Sequence, residues 1–130
     1  MIYTDGASKG NPGPAGIGVV IYDKEDRTVG RISTTIGRNT NNFAEYTAII
    51  RAIKIALYFK TKDLRIRTDS ELAVKQIKGE YKISSDKIKP LYDEVISLKK
   101  KFNSFRIDHI PRSLNEKADF LAKSAISGKK

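Results

Sequence analysis

Residues 28–59 read TVGRISTTIGRNTNNFAEYTAIIRAIKIALYF, and the apolar period changes inside this stretch. Over 28–36, Val29, Ile32, Thr34 and Ile36 stand among polar neighbours, the pattern of a half-buried strand. From Asn42 the repeat lengthens. Ala44, Ala48, Ala52 and Ala56 form one i, i+4 row, with Ile49, Ile53 and Leu57 in the row beside it. This predicts a helix capped by Asn42 and running to about Phe59. Its small row allows close approach to a sheet, while its large row fills a core, so the helix is central and well buried.

Upstream of that switch the chain reads as strands. Residues 1–8 give a short strand ending at Asp5-Gly6, residues 10–14 form a Gly/Pro loop, and Gly16 to Tyr22 is an apolar, β-branched strand closed by the charged turn Asp23–Asp26. Downstream, strands and helices alternate. Leu64–Thr68 is a strand. A short helix capped by Asp69 or Ser70 carries Leu72, Ala73, Gln76 and Ile77 and stops at Gly79. Residues 80–85 are loop. A helix from Asp86 to Lys101 presents Ile88, Leu91, Tyr92, Val95, Leu98 and Phe102. Phe105 to His109 is a strand ended by Pro111, and a last helix from Ser113 or Leu114 buries Leu114, Ala118, Leu121, Ala122 and Ala125. The order β-β-β-α-β-α-α-β-α implies an α/β fold: a mixed five-stranded sheet, three strands antiparallel and then parallel additions, flanked by helices. No linker or repeat divides it, so residues 1–130 are expected to form a single domain.

Composition narrows the chemistry. The 130 residues hold 25 Lys+Arg against 15 Asp+Glu, a net charge of +10. Such an excess suits a polyanionic partner, nucleic acid before membrane, although lysine excess also serves solubility. The basic residues are spread over folded segments, among them Lys75, Lys78, Lys82 and Lys87. With no cysteine and one histidine, disulfide frameworks, thiolate zinc, iron–sulfur clusters, cysteine nucleophiles and multi-histidine metal sites are excluded. No apolar run reaches the ~18–20 residues of a membrane span. Met1-Ile2-Tyr3-Thr4 already reads as strand, so no targeting peptide and a cytoplasmic location are expected.

Four acids occupy unusual addresses. Asp5 lies at the end of an apolar strand, where a bare carboxylate needs compensation. Glu45 opens the most apolar helix, Asp69 follows the fourth strand, and Asp119 borders the buried stripe of the last helix. Each has an ordinary reading: an Asx turn with Gly6, a favourable helix-dipole position, an N-cap, and an i, i+4 partner for Lys123. Ligands of open α/β sheets collect beyond strand ends where the strand order switches, and the first and fourth strands are expected to meet there. Four acids gathered at one point repel one another unless a cation joins them. Oxygen-only donors select Mg²⁺ or Mn²⁺, and such ions clamp phosphodiesters.

The segments Tyr3-Thr4-Asp5-Gly6-Ala7-Ser8 with Gly10-Asn11-Pro12-Gly13, Thr40-Asn41-Asn42-Phe43-Ala44-Glu45, Thr68-Asp69-Ser70, and His109-Ile110-Pro111-Arg112 with Asn115-Glu116-Lys117-Ala118-Asp119 strongly resemble the type 1 ribonuclease H family, in the family's order and across essentially the whole chain. The resemblance implies an endoribonuclease that cuts the RNA strand of an RNA/DNA hybrid, leaving 5′-phosphate and 3′-hydroxyl ends. It assigns Asp5, Glu45, Asp69 and Asp119 as catalytic metal ligands for two Mg²⁺ ions ~4 Å apart, with Mn²⁺ as an alternative. His109 matches a loop histidine linked to proton transfer or product release, and Arg112 in the same loop is the alternative source of positive charge. Asn11, Asn41 and Asn42 match positions that approach 2′-hydroxyls and bases in the minor groove. Gly6 matches a close approach of backbone to RNA, and Thr40 and Ser70 match sugar- or phosphate-contacting positions.

The sequence also departs from that family. Glu71 stands where many relatives carry Gln. Residues 79–86 are short, so the basic helical protrusion of some bacterial relatives is expected to be absent. The aromatic lining of the DNA-strand channel has no counterpart in a chain without Trp. Because the chain starts at the catalytic strand, no N-terminal hybrid-binding domain is expected. A monomer is expected, with hybrid as partner. Two alternatives stay open: the same site also cutting double-stranded RNA, and a catalytically silent nucleic-acid-binding module.

Overall fold

A computed structural model describes residues 1–127. The elements are β1 (Ile2–Ser8), β2 (Gly13–Tyr22), β3 (Thr28–Asn39), α1 (Asn41–Tyr58), β4 (Asp63–Thr68), α2 (Glu71–Ile77), α3 (Lys89–Lys99), β5 (Ser104–His109), a 3-10 turn (Arg112–Leu114) and α4 (Glu116–Ala125). They build one five-stranded sheet in the order β3-β2-β1-β4-β5. The hairpin-linked β1, β2 and β3 are antiparallel, whereas β4 adds parallel to β1 and β5 parallel to β4. The strand order therefore reverses between β1 and β4, as expected from the sequence. No helix among the described residues is long and apolar enough to cross a membrane.

The two faces of the sheet are packed by different means. On one, α1 lays Ala52, Ile49 and Ile53 against Ile2, Val19, Leu64 and Ile66, and α2 and α3 close the layer with Ile77 and Val95. Tyr46 is fully buried there, and its hydroxyl donates to Gln76 Oε1 at 2.8 Å, so the polar tip of a core side chain is satisfied. On the other face α4 rests almost backbone to backbone. A Cβ at Gly18 would stand 2.1 Å from the Ala118 carbonyl oxygen, and one at Gly16 2.8 Å from that of Ala122. No side chain fits at either glycine, and that absence sets the height of α4 above β2.

Several element boundaries differ from the sequence reading. β1 does not end at Asp5-Gly6 but runs to Ser8, because β2 pairs with it as far as Ser8↔Ala15. β2 begins at Gly13, and Pro14 is tolerated because it lies beyond the last β1 partner, where its missing N–H leaves no gap in that ladder. β3 extends to Asn39. The cap of α1 is Thr40, not Asn42: its hydroxyl oxygen accepts from the Phe43 N–H at 3.1 Å. Ser70 rather than Asp69 caps α2, accepting from the Ala73 N–H. α3 is shorter than 86–101, with Pro90 in its first turn. Leu114 is 65% exposed rather than buried, because residues 112–114 form a separate 3-10 turn out of phase with α4.

Candidate active site

β4 stops at Thr68 while β1 continues to Ser8, so beyond Thr4 one edge of β1 loses its strand partner. The amide of Gly6 on that edge donates instead to Glu45 Oε1 at 3.0 Å. α1 can come this close only because residue 6 has no Cβ, which would fall 2.3 Å from the Ala44 carbonyl carbon. The requirement for glycine at position 6 thus arises from α1, on the inner side of the strand.

Asp5 is 1% exposed, and neither of its carboxylate oxygens has a hydrogen-bond partner among the described residues. Asp69 follows β4 directly, with a side chain 4% exposed and Oδ1 buried and unpaired. One oxygen each from Asp5, Glu45 and Asp69 lies within 4.8 Å of the others. Asp119 stands beside Asp5 at the rim, 18% exposed, and its Oδ2 pairs with Lys123 Nζ at 3.3 Å. The ordinary readings of Asp5 and Asp69 fail here, whereas the i, i+4 partner of Asp119 is present together with its place at the cluster.

This crowding reshapes the acidities. Burial first, then Glu45 and Asp69, push Asp5 up to about 10. Burial and then Asp69 raise Glu45 to about 8, with the Gly6 amide pulling the other way. Carboxylates only accept hydrogen bonds, so their mutual approach demands shared protons or a cation. Arg112 supplies part of that charge: its Nε donates to Asp69 Oδ2 at 3.3 Å while its side chain stays 69% exposed. Asp69 in turn raises the Arg112 pKa. Oxygen-only donors, with both Asp5 oxygens and Asp69 Oδ1 buried and unpaired, fit a hard divalent cation, with Asp5, Glu45 and Asp69 as its holders and Asp119 within reach.

The remaining candidates surround this point. His109 ends β5 in register with Thr68, exposed, with no partner for its imidazole among the described residues. Asn11 Oδ1 accepts from the Asn41 N–H at 2.9 Å, tying the 9–12 loop to the start of α1, and Asn42 lies half-buried in the first turn. The oxygens of Thr40 and Ser70 accept from helix amides, which leaves each O–H free to donate outward. Glu71 is paired with Lys75 at 3.2 Å, and no helix lies between α2 and α3 among the described residues.

Sequence reasoning gave two residues no role of their own, although Asn115 stood in a matched segment. Asn115 is 1% exposed and donates from Nδ2 to the Thr4 carbonyl at 2.9 Å, pinning the start of α4 to the strand that carries Asp5. Its place four residues before Asp119, one helical turn, was the available sign. Arg38 lines a cavity of about 330 Å³ with Thr40 and Lys87, and nothing in its local sequence distinguished it.

A family profile described as "Reverse transcriptase-like" matches residues 3–125. A "Ribonuclease HI" of Halobacterium salinarum is 40% identical over 95% of this chain. A crystal structure of RNase H1 from that archaeon is 39% identical with a TM-score of 0.94, over 98% of this chain and 97% of that one. LC11-RNase H1 in complex with RNA/DNA hybrid is 42% identical with a TM-score of 0.90, over 97% and 95%. The chain spans 62% of the length of the Halobacterium relative and 35% of mycobacterial relatives that match it at 35% identity.

Proposed function

The chain belongs to the ribonuclease H family, and from that premise we propose that it is a metal-dependent endonuclease hydrolysing the RNA strand of RNA/DNA hybrids. One observation carries this reading: three carboxylates converge where β1 and β4 part, with both Asp5 oxygens and one Asp69 oxygen buried and unpaired. The complex of LC11-RNase H1 with hybrid supports the substrate class.

Asp5, Glu45, Asp69 and Asp119 would hold two divalent ions, Mg²⁺ with Mn²⁺ as alternative. Bound there, such ions lower the pKa of the attacking water and neutralise charge at the leaving 3′-oxygen. The chain's own residues do the rest. Glu45 is held in place by the Gly6 amide, so its carboxylate needs no reorganisation on binding. Arg112, 69% exposed beside Asp69, is long enough to meet a phosphate at the cluster. The His109 imidazole, exposed at the strand end, can take or return a proton beside the cut. Asn11, Asn41 and Asn42 offer amides to the 2′-hydroxyl that distinguishes RNA from DNA. The free O–H groups of Thr40 and Ser70 donate to sugar or phosphate.

The test is cleavage of end-labelled RNA/DNA hybrid, double-stranded RNA, single-stranded RNA and double-stranded DNA by wild type and Asp5→Asn, with Mg²⁺ or EDTA. Hybrid cutting that leaves 5′-phosphates, absent in Asp5→Asn and in EDTA, is the expected result. Cutting of double-stranded RNA as well would keep the site and widen the substrate. Binding of hybrid without cleavage under any metal would replace the enzyme with a binding module.

A further inference from the structure

α4 packs on β1, β2 and β3. On the same face, the outward side chains of β4 and β5 carry an arginine row. The register sets Tyr3, Arg67 and Asp108 abreast on β1, β4 and β5, with Arg65 and Arg106 abreast two residues back. Asp108 is shared between Arg65 at 3.7 Å and Arg106 at 3.8 Å, which leaves the row net positive. That surplus is felt at the Met1 amine, whose pKa is lowered by burial and then by Arg65 and Arg67, against an opposing pull from Asp26.

The row ends at an aromatic pair. Tyr3 and Tyr22 meet edge to face with centroids 5.4 Å apart. Arg67 donates to the Tyr3 hydroxyl at 2.9 Å and lies 5.7 Å from that ring, while Lys117 Nζ lies 5.6 Å from the Tyr22 ring. The pair shares the lining of a cavity of about 290 Å³ with the exposed Leu114, Asn115, Lys117 and one acid, Glu116. The acid cluster uses neither tyrosine. Tyr3 and Asp5 share a face of β1 two residues apart, roughly 7 Å, which is on the scale of one nucleotide.

Cations set over aromatic rings beside a cavity form a stacking platform for unpaired bases with charge for their phosphates. A duplex offers its bases only at their edges and cannot use the ring faces. We propose that the Tyr3–Tyr22 platform, with Arg67, Arg106 and Lys117, binds single-stranded nucleic acid flanking a duplex held at the acid cluster. The flanking role rests on the proposed function, but the single-strand binding does not.

The experiment is fluorescence anisotropy of a labelled oligothymidylate and an oligouridylate with the full chain in EDTA, across a salt series. The variants are the charge reversals Arg106→Glu/Lys117→Glu, both at exposed positions, and a control pair of equal charge change on the opposite layer, Lys100→Glu/Lys101→Glu. Thermal melts verify folding. The expected result is a Kd at least about tenfold weaker for the platform pair and a salt slope smaller by about 1.4, against little change for the control. Cleavage of blunt hybrid stays at the wild-type rate. Photo-cross-linking with 5-iodouracil, an arm that needs no variant, should label Tyr3 or Tyr22. Equal weakening by both pairs, no single-strand binding, or cross-links confined to other tyrosines would overturn the platform. Co-sedimentation with phosphatidylserine vesicles, lost in the platform pair and unaccompanied by oligonucleotide binding, would reassign it to a membrane. Failure of the wild type to cut hybrid would strike the proposed function and leave the binding result readable.

Discussion

Glu45 and Asp119 reach one acid cluster from opposite sides of the sheet and are held by different means. Glu45 rides on a helix locked by interdigitated isoleucines, is 6% exposed, and takes a backbone amide. Asp119 rides on a helix seated over glycines, and its carboxylate is tethered to a lysine that is itself 58% exposed. One side is preorganised by the core, and the other keeps a solvent-facing partner that can be traded. The hybrid cleavage proposed above would be served by that asymmetry, a rigid frame on one side and an exchangeable charge partner on the other.

The largest effects test it directly. Asp5→Asn and Glu45→Gln are expected to lower kcat by about 10³-fold or more, and Asp119→Asn by roughly 10–100-fold, read from single-turnover cleavage of hybrid. Equal losses at all three would break the comparison. Next come the helix seats. Gly6→Ala and Gly18→Ala each force a Cβ into helix backbone and should cost about 3 kcal/mol, roughly 10 °C in Tm. A melt within 2 °C of wild type for either, on the order of 0.5 kcal/mol, would show that its helix can shift.

Proton linkage gives a third test. Burial raises Asp5 to about 10 and Glu45 to about 8, so the metal-free folded chain holds protons that the unfolded chain releases near pH 4. That contribution to stability is full below about pH 4 and is lost as pH rises through about 8 and then about 10. A cation needs the ionised forms. Binding of Mg²⁺ should therefore release protons and tighten by up to about tenfold per pH unit per proton. Calorimetry in buffers of different ionisation enthalpy reads the release, and a pH-independent affinity would contradict it. Smallest is Lys123→Ala: an exposed i, i+4 pair changes stability by at most about 0.5 kcal/mol. A larger drop in the melt would mean that Asp119 is held as firmly as Glu45.

The strand and helix series was legible because periods of 2 and 3.6 are local properties of the chain. The elements and their order follow the pattern of Val29 to Ile36 and of Ala44 to Leu57. The boundaries were not, since β1 extends past Gly6 only because β2 is there to pair with it, and Thr40 outcompetes Asn42 as cap through its position relative to Phe43. The four acids were legible as odd residues in odd places. Leu114 was misread because a 3-10 turn changed the phase, and the role of Asn115 was not legible because its partner, the Thr4 carbonyl, lies 111 residues away.

What the sequence determined by itself is what short-range chemistry dictates: the net charge of +10, the absence of thiol chemistry, the element order and the identities of the candidate acids. The tertiary structure decided which oxygens meet, which stay unpaired, and which tyrosines pair beside the start of α4. Those outcomes depend on strands ending at different lengths and on helices resting where glycines remove a Cβ. They are set by contacts between residues far apart in the chain, which no local pattern encodes.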